Sequence, residues 1–361
     1  MGFTTGIVGL PNAGKSTLFN LLTRAHVPAE SYPFCTIEPN VGVVSIPDDN
    51  LSRIALVVKP EKITPTTLKC IDIAGLVKDA HKGEGLGNQF LGHIRAVDAI
   101  IHVTRCFTDP NIAHVYNAIN PIDDLDVVLT ELVMADLEIV ERRIDAMEKA
   151  FRGGRKELLA ELDCMHALKV VLSQGKSIRE SGIEVEQNYV KSHGILTAKP
   201  AVIVANMSEG DLEGNHLLDS LKAWGTAHGM PVIPVCTKFE LEALDLDEAD
   251  RRDFLESVGI GESAITLLLR ACYEVLDLIT FYTTVGKELR AWTLKKGGTL
   301  HEAAGLIHTD IQSGFIKAEI VSLNDFLSLG GLNGAREAGL VLIEGRQFCV
   351  RNQDIIHIHF R

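Results

Sequence analysis

Near its start the chain carries Gly9-Leu-Pro-Asn-Ala-Gly-Lys-Ser16, which has the spacing GxxxxGK[ST]. That spacing suits the holding of phosphate. Glycines let backbone N–H groups turn inward without Cβ clashes. A helix opening near Lys15 adds unpaired N–H groups and a positive dipole end. Lys15 would reach the β- and γ-phosphates as a point charge. The Ser16 hydroxyl would hold a magnesium ion that keeps most of its waters. The context favours this over a chance glycine-rich turn: Thr4-Thr-Gly-Ile-Val-Gly reads as a buried strand before the loop, and Ser16 to Arg24 as a helix after it.

A switch built on such a loop needs a second contact on the magnesium side and a sensor of the γ-phosphate. Asp72-Ile-Ala-Gly75 supplies DxxG at the end of an apolar strand. Asp72 would meet magnesium through water, and the Gly75 N–H would touch the γ-phosphate. Thr36 lies between prolines in Tyr32-Pro-Phe-Cys-Thr-Ile-Glu-Pro-Asn40, where a second magnesium ligand is expected. Lys82-Gly-Glu-Gly-Leu-Gly87 can serve as a mobile segment or as an ordinary loop. Leu76 stands where Ras-type enzymes carry a water-orienting Gln, so slow intrinsic hydrolysis is expected.

The base-recognition position reads Asn206-Met-Ser-Glu209. Guanine-specific relatives carry NKxD there, with an Asp that accepts two hydrogen bonds from guanine. Met207 and the longer Glu209 damage that arrangement, while Met207 can still cover a base face. Loss of the guanine match does not by itself establish adenine. Cys236-Thr-Lys238 would form the opposite wall.

These groups need strands and helices to carry them. Apolar runs at Val41–Ile46, Thr67–Ile73, Ala99–Thr104, Ala201–Asn206 and Val232–Cys236 read as further strands interleaved with helices. The pattern predicts an α/β, mostly parallel, doubly wound sheet. Leu129, Val133, Leu137, Val140, Ile144, Met147 and Phe151 recur at helical spacing, and Leu158 to Leu172 resume it after Gly153-Gly154. That predicts two antiparallel helices inserted at about 127–195, packing on each other or forming a partner-binding arm. Leu289–Leu294 and Asp354–Phe360 read as strands and Thr299–Gln312 as a helix, so residues 278–361 are expected to form a small α+β domain after an NTPase domain of residues 1–277.

The 361 residues carry a net charge of −13, so bulk attraction to nucleic acid is not expected. The imbalance is uneven: residues 281–361 hold 9 basic against 8 acidic side chains, leaving 26 against 40 in residues 1–280. The tail is therefore the part suited to approach RNA. Seven scattered cysteines without a CxxC pair fit reduced thiols in a cytoplasm. No run approaches a membrane span, and the N-terminus lacks the pattern of a secretory leader.

The stretches GLPNAGKST, YPFCTIEPN, DIAGLVKDAHKGEGLGNQFL and RCFTDPNIAHV, with NMSE in place of NKxD, closely resemble the YchF or Obg-like ATPase family along essentially the whole chain. Arg290-Ala-Trp-Thr, Ala303–Asp310 and Gly314–Glu319 resemble that family's TGS domain, a β-grasp module. The resemblance implies ATP hydrolysis in preference to GTP and association with the ribosome through the TGS domain and the helical insertion, without a role for membrane or DNA. It implies nucleotide contacts from Asn12, Ala13, Gly14, Lys15, Ser16 and Thr17 and from Met207, with Asn206 and Glu209 nearby. Magnesium contacts carry over to Ser16 and Thr36, and a catalytic mobile-loop histidine to His114. Read from the residues alone, His114 is one of thirteen histidines and equally a structural hydrogen-bonder. Asn12 is the residue to watch for a potassium requirement. A metabolic kinase would call for an Arg-rich lid, which the sequence lacks; a non-hydrolysing nucleotide-locked module is kept open by Leu76.

Overall fold

The computed structural model describes residues 3–25, 40–73, 86–115, 119–183, 192–211, 213–247, 250, 253–254 and 262–361. The first part runs β1 (Thr4–Val8), α1 (Lys15–Ala25), β2 (Val41–Ser45), α2 (Asp49–Val58), β3 (Lys62–Thr64), β4 (Thr67–Asp72), α3 (Leu86–Ala96) and β5 (Ala99–Arg105). It continues through α4 (Pro121–Arg152), α5 (Leu159–Ser173), β6 (Ala201–Asn206), α6 (His216–Ala227), β7 (Val232–Val235), α7 (Thr237–Leu244) and α8 (Ala264–Val275). The tail holds β8 (Leu278–Val285), β9 (Glu288–Lys295), α9 (Leu300–Ile307), α10 (Thr309–Ser313), β10 (Phe315–Ser322), α11 (Leu323–Ser328), α12 (Leu332–Glu337), β11 (Leu342–Glu344) and β12 (Asp354–Phe360).

Six strands form the first sheet in the order β2-β4-β1-β5-β6-β7. All its pairs are parallel except β2 with β4. Every residue of β5 and β6 is buried, as expected of central strands covered on both faces. Along β5, Ile100 packs toward α3, α4 and α6, while Ala99, Ile101 and Val103 pack toward α1 and α8. This is the doubly wound sheet the strand pattern predicts. The phosphate turn leaves the C-terminal end of central strand β1, the usual place for a ligand crevice in such sheets.

The α4–α5 arm packs on itself through Val133, Val140, Ile144, Leu162, Met165 and Leu168. Helix α4 begins at Pro121, upstream of the expected insertion, and its first turns (Leu125, Val128, Leu132) belong to the core of the sheet. Buried Asp136 ties the far side of the insertion back to α4 by accepting from the N–H groups of Leu196 and Thr197 and from the Thr197 hydroxyl. Among the described residues no helix is long and apolar enough to cross a membrane.

The second sheet runs β11-β10-β12-β8-β9-β3. Its last strand comes from far upstream: β3 pairs with β9 in parallel, Ile63 opposite Leu289. Helix α2 goes with it and buries Leu51 and Ile54 among Tyr282, Leu289 and Phe326. The expected single helix over Thr299–Gln312 is two. His308 adopts an extended backbone, and its Nδ1 accepts from the Asp310 N–H, so the imidazole caps α10 instead of continuing α9.

Candidate nucleotide site

The phosphate turn is shaped by two left-handed residues, Asn12 at φ 62° and Gly14 at φ 101°. Only glycine fits at 14: a Cβ there would sit 2.2 Å from Asn206 Nδ2. That amide donates to the Ala13 carbonyl at 3.0 Å, and its Oδ1 accepts from the Thr237 hydroxyl at 3.1 Å. Asn206 thus joins three segments: the phosphate turn, the end of β6 and the start of α7. Thr17 is exposed at the mouth of the same cleft.

Lys15 is buried, and its Nζ donates to the Leu10 carbonyl at 2.9 Å within the turn. Burial lowers its pKa, and the charge of nearby Asp72 raises it in part. Ser16 Oγ donates to Asp72 Oδ2 at 2.9 Å, while Asp72 Oδ1 is buried without a hydrogen-bond partner. A hydroxyl and a carboxylate with one orphaned oxygen form a hard-oxygen pair that fits magnesium and its waters. Among the described residues no group of three or more His, Cys, Asp or Glu could hold a metal ion, and a site of this type needs none. Thr36, Gly75 and Leu76 lie outside the described residues.

Beside the turn opens a cleft of about 710 Å³. Met207 forms part of its floor, fixed by its N–H to the Val235 carbonyl at 2.9 Å. Cys236 precedes α7 on one wall, and burial pushes its thiol up. Glu209 is exposed, with its carboxylate 2.8 Å from Lys238 Nζ. Glu209 therefore stands at the surface beside a cation, and the cost of an unmatched buried carboxylate does not arise. Phe107, Thr108, Asp109 and Ile112 line the opposite wall.

That wall belongs to the loop that carries His114. Asn12 Nδ2 donates to the Ala113 carbonyl at 3.1 Å, which pins the loop to the phosphate turn. That bond uses the amide nitrogen, so Oδ1, the atom a cation would take, is not engaged by it. His114 Nε2 lies 2.9 Å from Asp124 Oδ2 on α4, with both side chains buried. Burial raises the Asp124 pKa, opposed by the hydrogen bond and charge of His114.

The surroundings of this site have close counterparts. A model described as a 50S ribosome-binding GTPase matches residues 4–132, and the YchF-GTPase_C model, described as a protein of unknown function, matches residues 278–361. The ribosome-binding ATPase YchF of Haemophilus influenzae is 47% identical over 100% of this chain and 99% of its own. That of Bacillus subtilis is 45% identical over 100% of both. The chain belongs to the YchF family. The structure of the YchF GTPase of Schizosaccharomyces pombe is similar, with a TM-score of 0.89 at 34% identity over 99% of this chain and 98% of that one.

Within this YchF frame, sequence reasoning left parts of the site unassigned, two of them beside the base and the histidine. The Lys238–Glu209 pair joins residues from the ends of neighbouring strands, so no local spacing announces it. Asp124 is the other. As an acidic residue in the first turn of a helix whose N-cap is Asn120, it reads as dipole complementation until the fold sets it against His114.

Proposed function

We propose that this YchF-family chain is a cytoplasmic ATP-hydrolysing switch whose ATP-bound form associates with the ribosome. The observation that carries the reading is the position of the β2–β4 pair. One end of this antiparallel pair meets the segment containing Thr36 and terminates in Asp72; Val41 stands opposite Ile71. The other end leads into Asp48, α2 and β3, which are built into the second sheet. Asp48 Oδ2 accepts from the Tyr282 hydroxyl at 2.8 Å, and Thr64 Oγ1 donates to Glu288 Oε1 at 2.6 Å. A change in the groups that read the γ-phosphate therefore has a covalent, hydrogen-bonded route to the tail domain.

In this reading Lys15 leaves the Leu10 carbonyl for the β- and γ-phosphates. Ser16 and Asp72, with Thr36, hold magnesium, which when bound neutralises phosphate charge. Gly75 supplies the γ-phosphate N–H, and Met207 covers the base. Adenine asks nothing of Glu209, whereas guanine would have to share it with Lys238. Leu76 cannot orient water, so the intrinsic rate is slow. His114 supplies that help, oriented by Asp124 as a general base is by a third group. The ribosome contact is assigned to the tail domain and the α4–α5 arm.

Co-sedimentation with ribosomes tests the reading. Pelleting is expected to be stronger with a non-hydrolysable ATP analogue than with ADP, and Lys15→Ala is expected to erase the difference. Equal pelleting in all three conditions would contradict nucleotide control.

A further inference from the structure

We propose that Arg105, which touches no part of the nucleotide in this reading, is the positioning residue that shapes the base-side wall of the cleft and so sets nucleotide affinity and base choice. The inference rests on the nucleotide assignment above. Arg105 ends β5 and is 1% exposed, among the largest fully buried side chains described. Its planar fork is directed into a single loop. Nε donates to the Phe107 carbonyl at 3.1 Å, Nη1 to Ile112 at 2.9 Å and Nη2 to Asp109 at 3.0 Å. The guanidinium carbon also lies 4.7 Å from the centre of the Phe107 ring.

All three accepting residues line the cleft. A loop whose carbonyls turn inward to a buried cation cannot relax without leaving that cation unsolvated. The rest of the loop is tied by independent contacts. Asp109 turns the chain by accepting from the Asn111 N–H at 2.8 Å, and Asn215 Nδ2 holds the Cys106 carbonyl at 2.8 Å. Ala113 is held by Asn12. Arg105 alone among these contacts binds both arms of the turn, at Phe107 and at Ile112. Lysine cannot substitute, because a single ammonium does not reproduce the fork that meets three separated carbonyls.

The phosphate turn shares the Asn12–Ala113 bond with this loop but is held independently through Asn206 and Asp72, so loss of Arg105 should largely spare phosphate binding. The experiment compares calorimetric binding of three magnesium complexes to the full chain: a non-hydrolysable ATP analogue, its GTP counterpart, and inorganic tripolyphosphate. For Arg105→Met the ATP-analogue affinity is expected to fall at least about ten-fold, the scale of one lost charge-assisted hydrogen bond. The ratio between ATP and GTP analogues should contract toward one, while tripolyphosphate binding stays within about two-fold. Arg105→Lys keeps the stem and the charge and should show the same selective loss, which serves if the methionine variant does not fold. Unchanged ATP affinity, a parallel loss of tripolyphosphate binding, or full restoration by lysine would each overturn the proposal. If the unaltered protein binds tripolyphosphate as tightly as the ATP analogue, the nucleotide reading itself fails, and the wall loses its assigned ligand.

Discussion

Lys15 lies within the phosphate turn, with its ammonium against the Leu10 carbonyl and its basicity lowered by burial. A triphosphate offers that cation a stronger partner than a carbonyl, so the exchange favours binding. His114 is a different case, since its ring is already committed to Asp124 in a buried pair. If it positions or activates water, His114→Ala should leave ATP-analogue affinity intact and slow single-turnover hydrolysis by about 10²–10⁴-fold. An unchanged rate would leave His114 as the bolt between its loop and α4. At this scale the phosphate turn was legible because its chemistry is contiguous, from Gly9 to Ser16. The Glu209–Lys238 pair and the Arg105 fork were not, because each depends on where a loop returns after a strand ends.

The element that matters most to the switch is a three-residue strand, β3. Three residues with one apolar side chain give no period, and only the fold reveals that they extend the tail's sheet. Alternating or fully apolar runs were readable as β1, β2, β4, β5, β6 and β7, and the helical spacing gave α4 and α5. The expectations also omit β8, β10 and β11. For β8 the signal was present: Leu278-Ile-Thr-Phe-Tyr-Thr-Thr-Val285 is rich in β-branched and aromatic residues, and Gly286-Lys287 turns it into β9. Helix α2 anchors the graft through Ile54, which is fully buried. Ile54→Ala is expected to cost about 2–5 kcal/mol in the packing between α2 and the tail. ATP-analogue affinity should be unaffected, while the difference in ribosome pelleting between analogue and ADP shrinks. A difference of undiminished size would make the graft ordinary packing.

Over the whole molecule, an acidic NTPase body carries a tail that is close to neutral, and the strand supplied to that tail leaves the body between the two segments assigned to sensing phosphate. The charge shift near residue 280 pointed to a second unit, but the boundary is not a simple cut, since residues 49–64 pack with the tail. The account as a whole depends on which nucleotide moves this assembly. The most direct measurement is calorimetric titration of the unaltered protein with ATP and GTP analogues, each with magnesium. A clear preference for ATP is predicted, because Met207 replaces the guanine-pocket lysine and Glu209 is held by Lys238. A preference for GTP would contradict the base-pocket argument, since guanine would then be read despite Met207 and the Glu209–Lys238 pair.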